Sequence, residues 1–193
     1  MESATHDHAH HHEMPSSGAA LTRVAIDATL HCLTGCALGE IAGMVIGTAL
    51  AFSNGGTVVL SIALAFVFGY SLTSLPLLRA GLPLRRVARV AFASDTLSIT
   101  TMEIVDNLVV LAVPGALAAG LATWLFWGSL CFSLAIAATI AMPVNRWLIA
   151  RGRGHVAVHE TGIHGGPSPR LVGAVAAALG LFGAVVLIIE AAS

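Results

Sequence analysis

The chain has 193 residues, of which 56% are hydrophobic and only 10% charged, and its mean hydropathy is +0.87. Soluble domains carry about 25% charged residues, so the composition excludes a water-soluble globule and predicts an integral membrane protein. A formal net charge of -1 gives no electrostatic case for binding nucleic acid.

Residues 1–20 hold His6, His8, His10, His11 and His12 and have no apolar pattern, which predicts a disordered cytoplasmic tail. Asp7 and Ala9 interrupt the histidines, which reads as native sequence and not as a purification tag. Histidine-dense tracts capture late transition metals through neutral imidazole. No basic region followed by a short apolar run and a cleavage site is seen near the start, so no removable leader is expected.

Residues 21–193 read as one all-α, polytopic transmembrane helical domain. Five apolar segments are long enough to cross a bilayer, near 26–51, 57–78, 90–113, 123–148 and 171–190. The third carries Asp95, Glu103, Asp106 and Asn107, and its place between basic loops predicts a span packed inside a bundle. The fourth is interrupted near its end by Pro143, Asn145 and Arg146. The Gly- and Pro-rich stretch 151–170 reads as a loop, with His155, His159 and His164 as a second imidazole group.

Orientation follows from the basic residues. The chain has no lysine, and with five spans all its arginines (Arg23, Arg79, Arg85, Arg86, Arg89, Arg146, Arg151, Arg153, Arg170) fall on one side. The positive-inside rule makes that side cytoplasmic. The expected setting is a bacterial cytoplasmic (inner) membrane, with the N-terminus inside and the C-terminus outside.

The chemistry concentrates in the first span. His31, Cys32, Cys36 and Glu40 sit in a run that is otherwise as apolar as a lipid-spanning helix. Buried ionisable groups in lipid face a protein interior, where they pair or bind something. Soft sulfur, imidazole and carboxylate together are a metal-coordinating and proton-handling set. Asp27, near the helix start, reads as a cap or a dipole partner. Gly35, Gly39, Gly43 and Gly47 form a ridge at i+4 spacing, which predicts close packing against another helix, within the chain or in a homo-oligomer. Cys32, Cys36, Glu40 and Met44 form a second row beside it, while His31 points elsewhere, so the site needs a partner helix.

The third span supplies one. Asp95, Ile99, Met102 and Asp106 lie on one helical stripe. Matching depth from the cytoplasmic ends predicts two polar layers: His31 with Asp95, and Glu40 with Met102, Glu103 and Asp106. Cys131 on the fourth span falls near the second layer, where it reads equally as apolar filler.

The runs HCLTGCALGE (31–40), DTLSITTMEIVDN (95–107) and PVNRWLIARGRGH (143–155) resemble a family of small bacterial integral-membrane proteins classed as a domain of unknown function. The resemblance covers roughly residues 27–159 and implies a membrane helical bundle. It implies that His31, Cys32, Cys36, Glu40, Asp95, Glu103, Asp106, Asn107, Asn145 and Arg146 belong to the family's pattern. It supplies no reaction.

The leading functional expectation is a transition-metal transporter or handling protein, with copper(I) first and zinc second as the bound ion. Its expected ligands are His31, Cys32, Cys36, Glu40, Met102, Glu103 and Asp106. Asp95, Glu103 and Asp106 would carry protons or balance charge, and His6, His8, His10, His11, His12, His155 and His159 would capture metal at the surface. Two rivals stand beside it: a membrane enzyme of thiol or metal chemistry, and a proton-coupled transporter or channel for a non-metal solute. Expected partners are the lipid bilayer and a metal ion.

Overall fold

The computed structural model describes residues 17–159 together with Thr161 and Ile188. The histidine tail before residue 17, His164, Arg170 and the expected fifth span at 171–190, Ile188 apart, lie outside the described residues. Four long helices follow in order: α1 (Gly18–Ala49), α2 (Asn54–Arg79), α3 (Leu84–Ala112) and α4 (Trp124–Ala150). A 3-10 turn at Ala116–Ala118 precedes α4, and a short α5 (Val156–His159) follows it.

Short connections force the long helices to run up and down. Between α1 and α2 only residues 50–53 intervene, and the Ser53 hydroxyl caps α2 by accepting the Gly56 N–H at 3.2 Å. Between α2 and α3 the chain turns at Gly81, whose φ of 82° needs a residue without a side chain, and Pro83 starts the next helix. α4 runs unbroken past Pro143, which interrupts the apolar run but not the helix. Proline removes one backbone donor, which a helix packed among neighbouring helices tolerates, and Ala141 and Asn145 beside it are buried.

The helices close into a ring, each packed on its sequence neighbour, with α4 returning to α1. α1 and α3 also touch across the middle. This is the pairing that the polar residues of the two spans predict.

The glycine ridge sets the tightest seam, and it lies within the chain. Gly35, Gly39, Gly43 and Gly47 face Gly69, Ala65, Ser61 and Thr57 of antiparallel α2, rung by rung. A Cβ on Gly35 would stand 2.7 Å from the Gly69 Cα, so only glycine permits this approach.

The bundle is small and polar inside and apolar outside. Val59, Phe92 and Leu108 are 68%, 63% and 61% exposed, while Thr73, Asp95 and Ser133 are fully buried. Such an outer surface suits lipid and not water. α1, α2 and α4 are long and apolar enough to cross a membrane. This is a membrane protein of all-helical architecture. α3 follows the same inverted pattern: Asp95, Glu103 and Asp106 face inward, and Phe92, Ile104 and Leu111 face outward. Helix hydroxyls are satisfied locally, as where Thr29 donates to the Ala25 carbonyl at 2.7 Å and Thr34 to that of Leu30 at 2.8 Å.

Candidate functional site

The antiparallel run of the helices gathers eight arginines, from Arg23 to Arg153, at one end of the bundle. Between this arginine end and the opposite end, buried polar side chains from α1, α2 and α3 form a column in the bundle interior.

Nearest the arginines lies a five-residue network. The Thr73 hydroxyl donates to Asp95 Oδ2 at 2.6 Å and stands 2.8 Å from His31 Nε2. A hydroxyl has one proton, so with it given to Asp95 the oxygen accepts from His31, which puts the imidazole proton on Nε2. Ser94 donates to Asp95 Oδ1 at 2.7 Å. His155 enters from the segment after α4, with Nδ1 3.5 Å from Asp95 Oδ1 and its ring centroid 5.1 Å from that of His31. Gly152 and Gly154, at φ 67° and 64°, turn the chain back to place it there. Val156 completes the seating by packing with Leu21, Ala25, Ala28 and Ile149.

The middle of the column is thiol and thioether. Cys32, Cys36 and Met102 lie in one buried cluster with Ala65, Ile99, Ala137 and Ala141. Cys32 stands beside Ser98, and Cys36 beside the Glu103 carboxyl. Neither Glu103 oxygen accepts a well-formed hydrogen bond among the described residues.

At the far end the Glu40 carboxyl reaches that of Asp106. The two form part of the floor of an open cavity of about 360 Å³, which also takes in Asn107 and Met44. From Asp95 to Asp106 the column runs about 16 Å, eleven residues at 1.5 Å each.

The expected layers are thus sorted by depth. His31 does join Asp95, through Thr73. The second layer divides: Glu40 goes to Asp106, Cys36 to Glu103, and Met102 to the sulfur cluster. His155, expected as a surface ligand, is buried in the inner network. Cys131, expected near the middle layer, is exposed on the outer surface of the bundle, because the inward face of α4 is taken by Ser129, Leu130, Ser133 and Ala137. Asn145 donates to Thr29 at 2.9 Å and ties α4 to α1, whereas Arg146 is exposed. Among the described residues no three His, Cys, Asp or Glu side chains converge as they would to hold a metal ion. Among the described residues the sulfur cluster of Cys32, Cys36 and Met102 offers a soft-donor set.

Thr73 was not expected, yet the sequence holds a signal for it. It ends the i+4 row Thr57, Ser61, Ala65, Gly69, Thr73, the small face of α2 that meets α1 and α3. A hydroxyl on such a face has a polar partner or a carbonyl to meet.

No curated protein sequence and no solved structure is found to match the chain. A family model does match, over residues 22–154, and this takes in nearly all of α1 to α4, the turns that line the cavity and the polar column apart from His155. The chain belongs to the family described as Domain of unknown function (DUF4396).

Proposed function

We propose that the chain is an integral-membrane cation transporter in which protons carry the compensating charge along the polar column. The observation that carries this reading is the Glu40–Asp106 pair at the floor of an open cavity. Two carboxyls that meet away from water share a proton or hold a cation between them. A cavity that reaches such a pair gives cations access to it. Glu103 forms the next station, and the His31–Thr73–Asp95–His155 network the last, so exchangeable protons stand at both ends of the bundle.

In this reading α3 is a fourth span, supported by its inward carboxylates and outward Phe92, Ile104 and Leu111. The arginine end is cytoplasmic by the positive-inside rule, and the cavity opens outside the cell membrane.

A second reading, copper(I) handling, keeps one specific support. Cys32, Cys36 and Met102 share a buried cluster, and thiolate with thioether is the ligand class copper(I) prefers. Zinc has less support, because it takes four nitrogen, sulfur or oxygen ligands and no three such side chains converge among the described residues.

The test is flux into liposomes that hold the full-length protein and a pH-sensitive dye. An imposed cation gradient should drive proton movement, and Asp106→Asn or Glu40→Gln should reduce it at least tenfold. Wild-type liposomes as tight as empty ones, to protons and copper(I) alike, would remove both readings. Copper flux lost only in the Cys32→Ser, Cys36→Ser double variant would favour the second.

A further inference from the structure

The cavity has a composition that selects its ligand. Its floor carries the carboxyls of Glu40 and Asp106 and the carboxamide of Asn107, and its walls include Met44, Phe126 and Leu130. Asp106 is only 2% exposed and lines the cavity beside Glu40, and its Oδ1 accepts no N–H or hydroxyl among the described residues. A group that donates a hydrogen bond or carries positive charge would satisfy that oxygen.

The other polar groups at the floor point to the same kind of ligand. One Asn107 amide N–H donates to the Glu103 carbonyl at 2.9 Å, and the carboxamide lines the cavity. Ser61 directs its proton to the Glu40 carbonyl at 3.5 Å, and Ser129 its proton to Leu125 at 2.7 Å. The lining thus carries two carboxyls and no arginine among its residues. An anion would meet two carboxyls and no cationic side chain there.

A bare divalent ion fits no better. Calcium and magnesium take about six or more oxygen ligands, more than two carboxyls and a carboxamide supply. Apolar walls around a few convergent polar groups are the mark of a site for an organic molecule. An aromatic wall residue, Phe126, adds attraction for a cation.

We propose that this cavity binds a protonated primary or secondary amine with a compact apolar body: the ammonium N–H groups meet Glu40, Asp106 and Asn107, and the body meets Met44, Phe126 and Leu130. This names a substrate class for the transport reading and rests on that reading only for movement across the membrane; binding stands separately.

The experiment is calorimetric titration of the full-length protein in lipid nanodiscs. Phenethylammonium should bind at least tenfold more tightly than methylammonium, which lacks the body, and than 2-phenylethanol, which lacks the charge. Asp106→Asn should weaken phenethylammonium at least tenfold. Leu117→Trp, on the 3-10 turn that lines the cavity, should weaken it as well without disturbing the interior, and it decides the matter if the Asp106 variant fails to fold. Equal affinity for the three probes, or wild-type affinity in the folded variants, overturns the proposal. Proton flux in liposomes without phenethylammonium binding overturns it while the transport reading stands. Binding without flux does the reverse.

Discussion

The Thr73 hydroxyl, the last rung of the small-residue row on α2, donates to Asp95 on α3 at 2.6 Å. The same oxygen meets His31 of α1, so one small side chain joins three helices at the arginine end. Thr73→Val keeps the shape and removes both bonds. Leaving a buried acceptor unpaired costs about 1–3 kcal/mol. Thermal unfolding in detergent should show this loss for Thr73→Val and little of it for Thr73→Ser. Equal stability of the valine variant and the wild type would mean that the hydroxyl holds nothing together.

The α1–α2 seam makes a separate prediction. A side chain on Gly39 would meet the Ala65 backbone, and one on Gly43 would meet Ser61. Overpacking costs about 1–3 kcal/mol, occasionally more, so Gly39→Leu and Gly43→Leu should melt well below the wild type. Ala63→Leu, on the exposed face of α2, should melt near it. Matching melting temperatures for all three would place the ridge against lipid.

Thiol chemistry separates the cysteines. Cys131 is exposed on the bundle surface, while Cys32 and Cys36 are buried. A small membrane-permeant maleimide should modify one thiol of the folded protein, at Cys131, and all three after denaturation. Peptide mapping that found Cys32 or Cys36 modified first would show that the bundle interior is open.

Topology can be read with single cysteines in a background without the native ones. A cysteine replacing Arg85 should resist an impermeant reagent in intact cells, because Arg85 stands with the other arginines. One replacing Asn54, an exposed residue at the far end of the bundle, should react. The opposite result would invert the protein and turn the cavity toward the cytoplasm.

Bound copper distinguishes the core from the tail. If the sulfur cluster is a copper(I) site, the Cys32→Ser, Cys36→Ser double variant should lose at least nine-tenths of the metal that wild type retains after exposure to copper(I). Removal of residues 1–14 should then leave most of it, since a tethered tail only raises the local supply. Loss on tail removal alone would place the metal on His6 to His12.

Several features were legible in the residues alone because each rests on local chemistry. Too few charges for a water-soluble surface means a membrane, runs of apolar residues mean long helices, and arginines that alternate with the helices gather at one end. Glycines four apart mean a close seam, and carboxylates on an apolar helix must turn inward, which is why α1 and α3 could be matched in depth. Tertiary structure decided the rest. Helix rotation about its axis is set by neighbours, so it alone placed Cys131 outside and divided Glu40, Cys36 and Met102 among different partners. Thr73 became a junction only when α2 lay between α1 and α3. His155, a histidine in a glycine-rich run, became a buried partner of Asp95 only because two left-handed glycines fold that run back into the bundle. A hydroxyl or an imidazole acquires its role from what stands within 3 or 4 Å of it, and that distance is a property of the assembled fold.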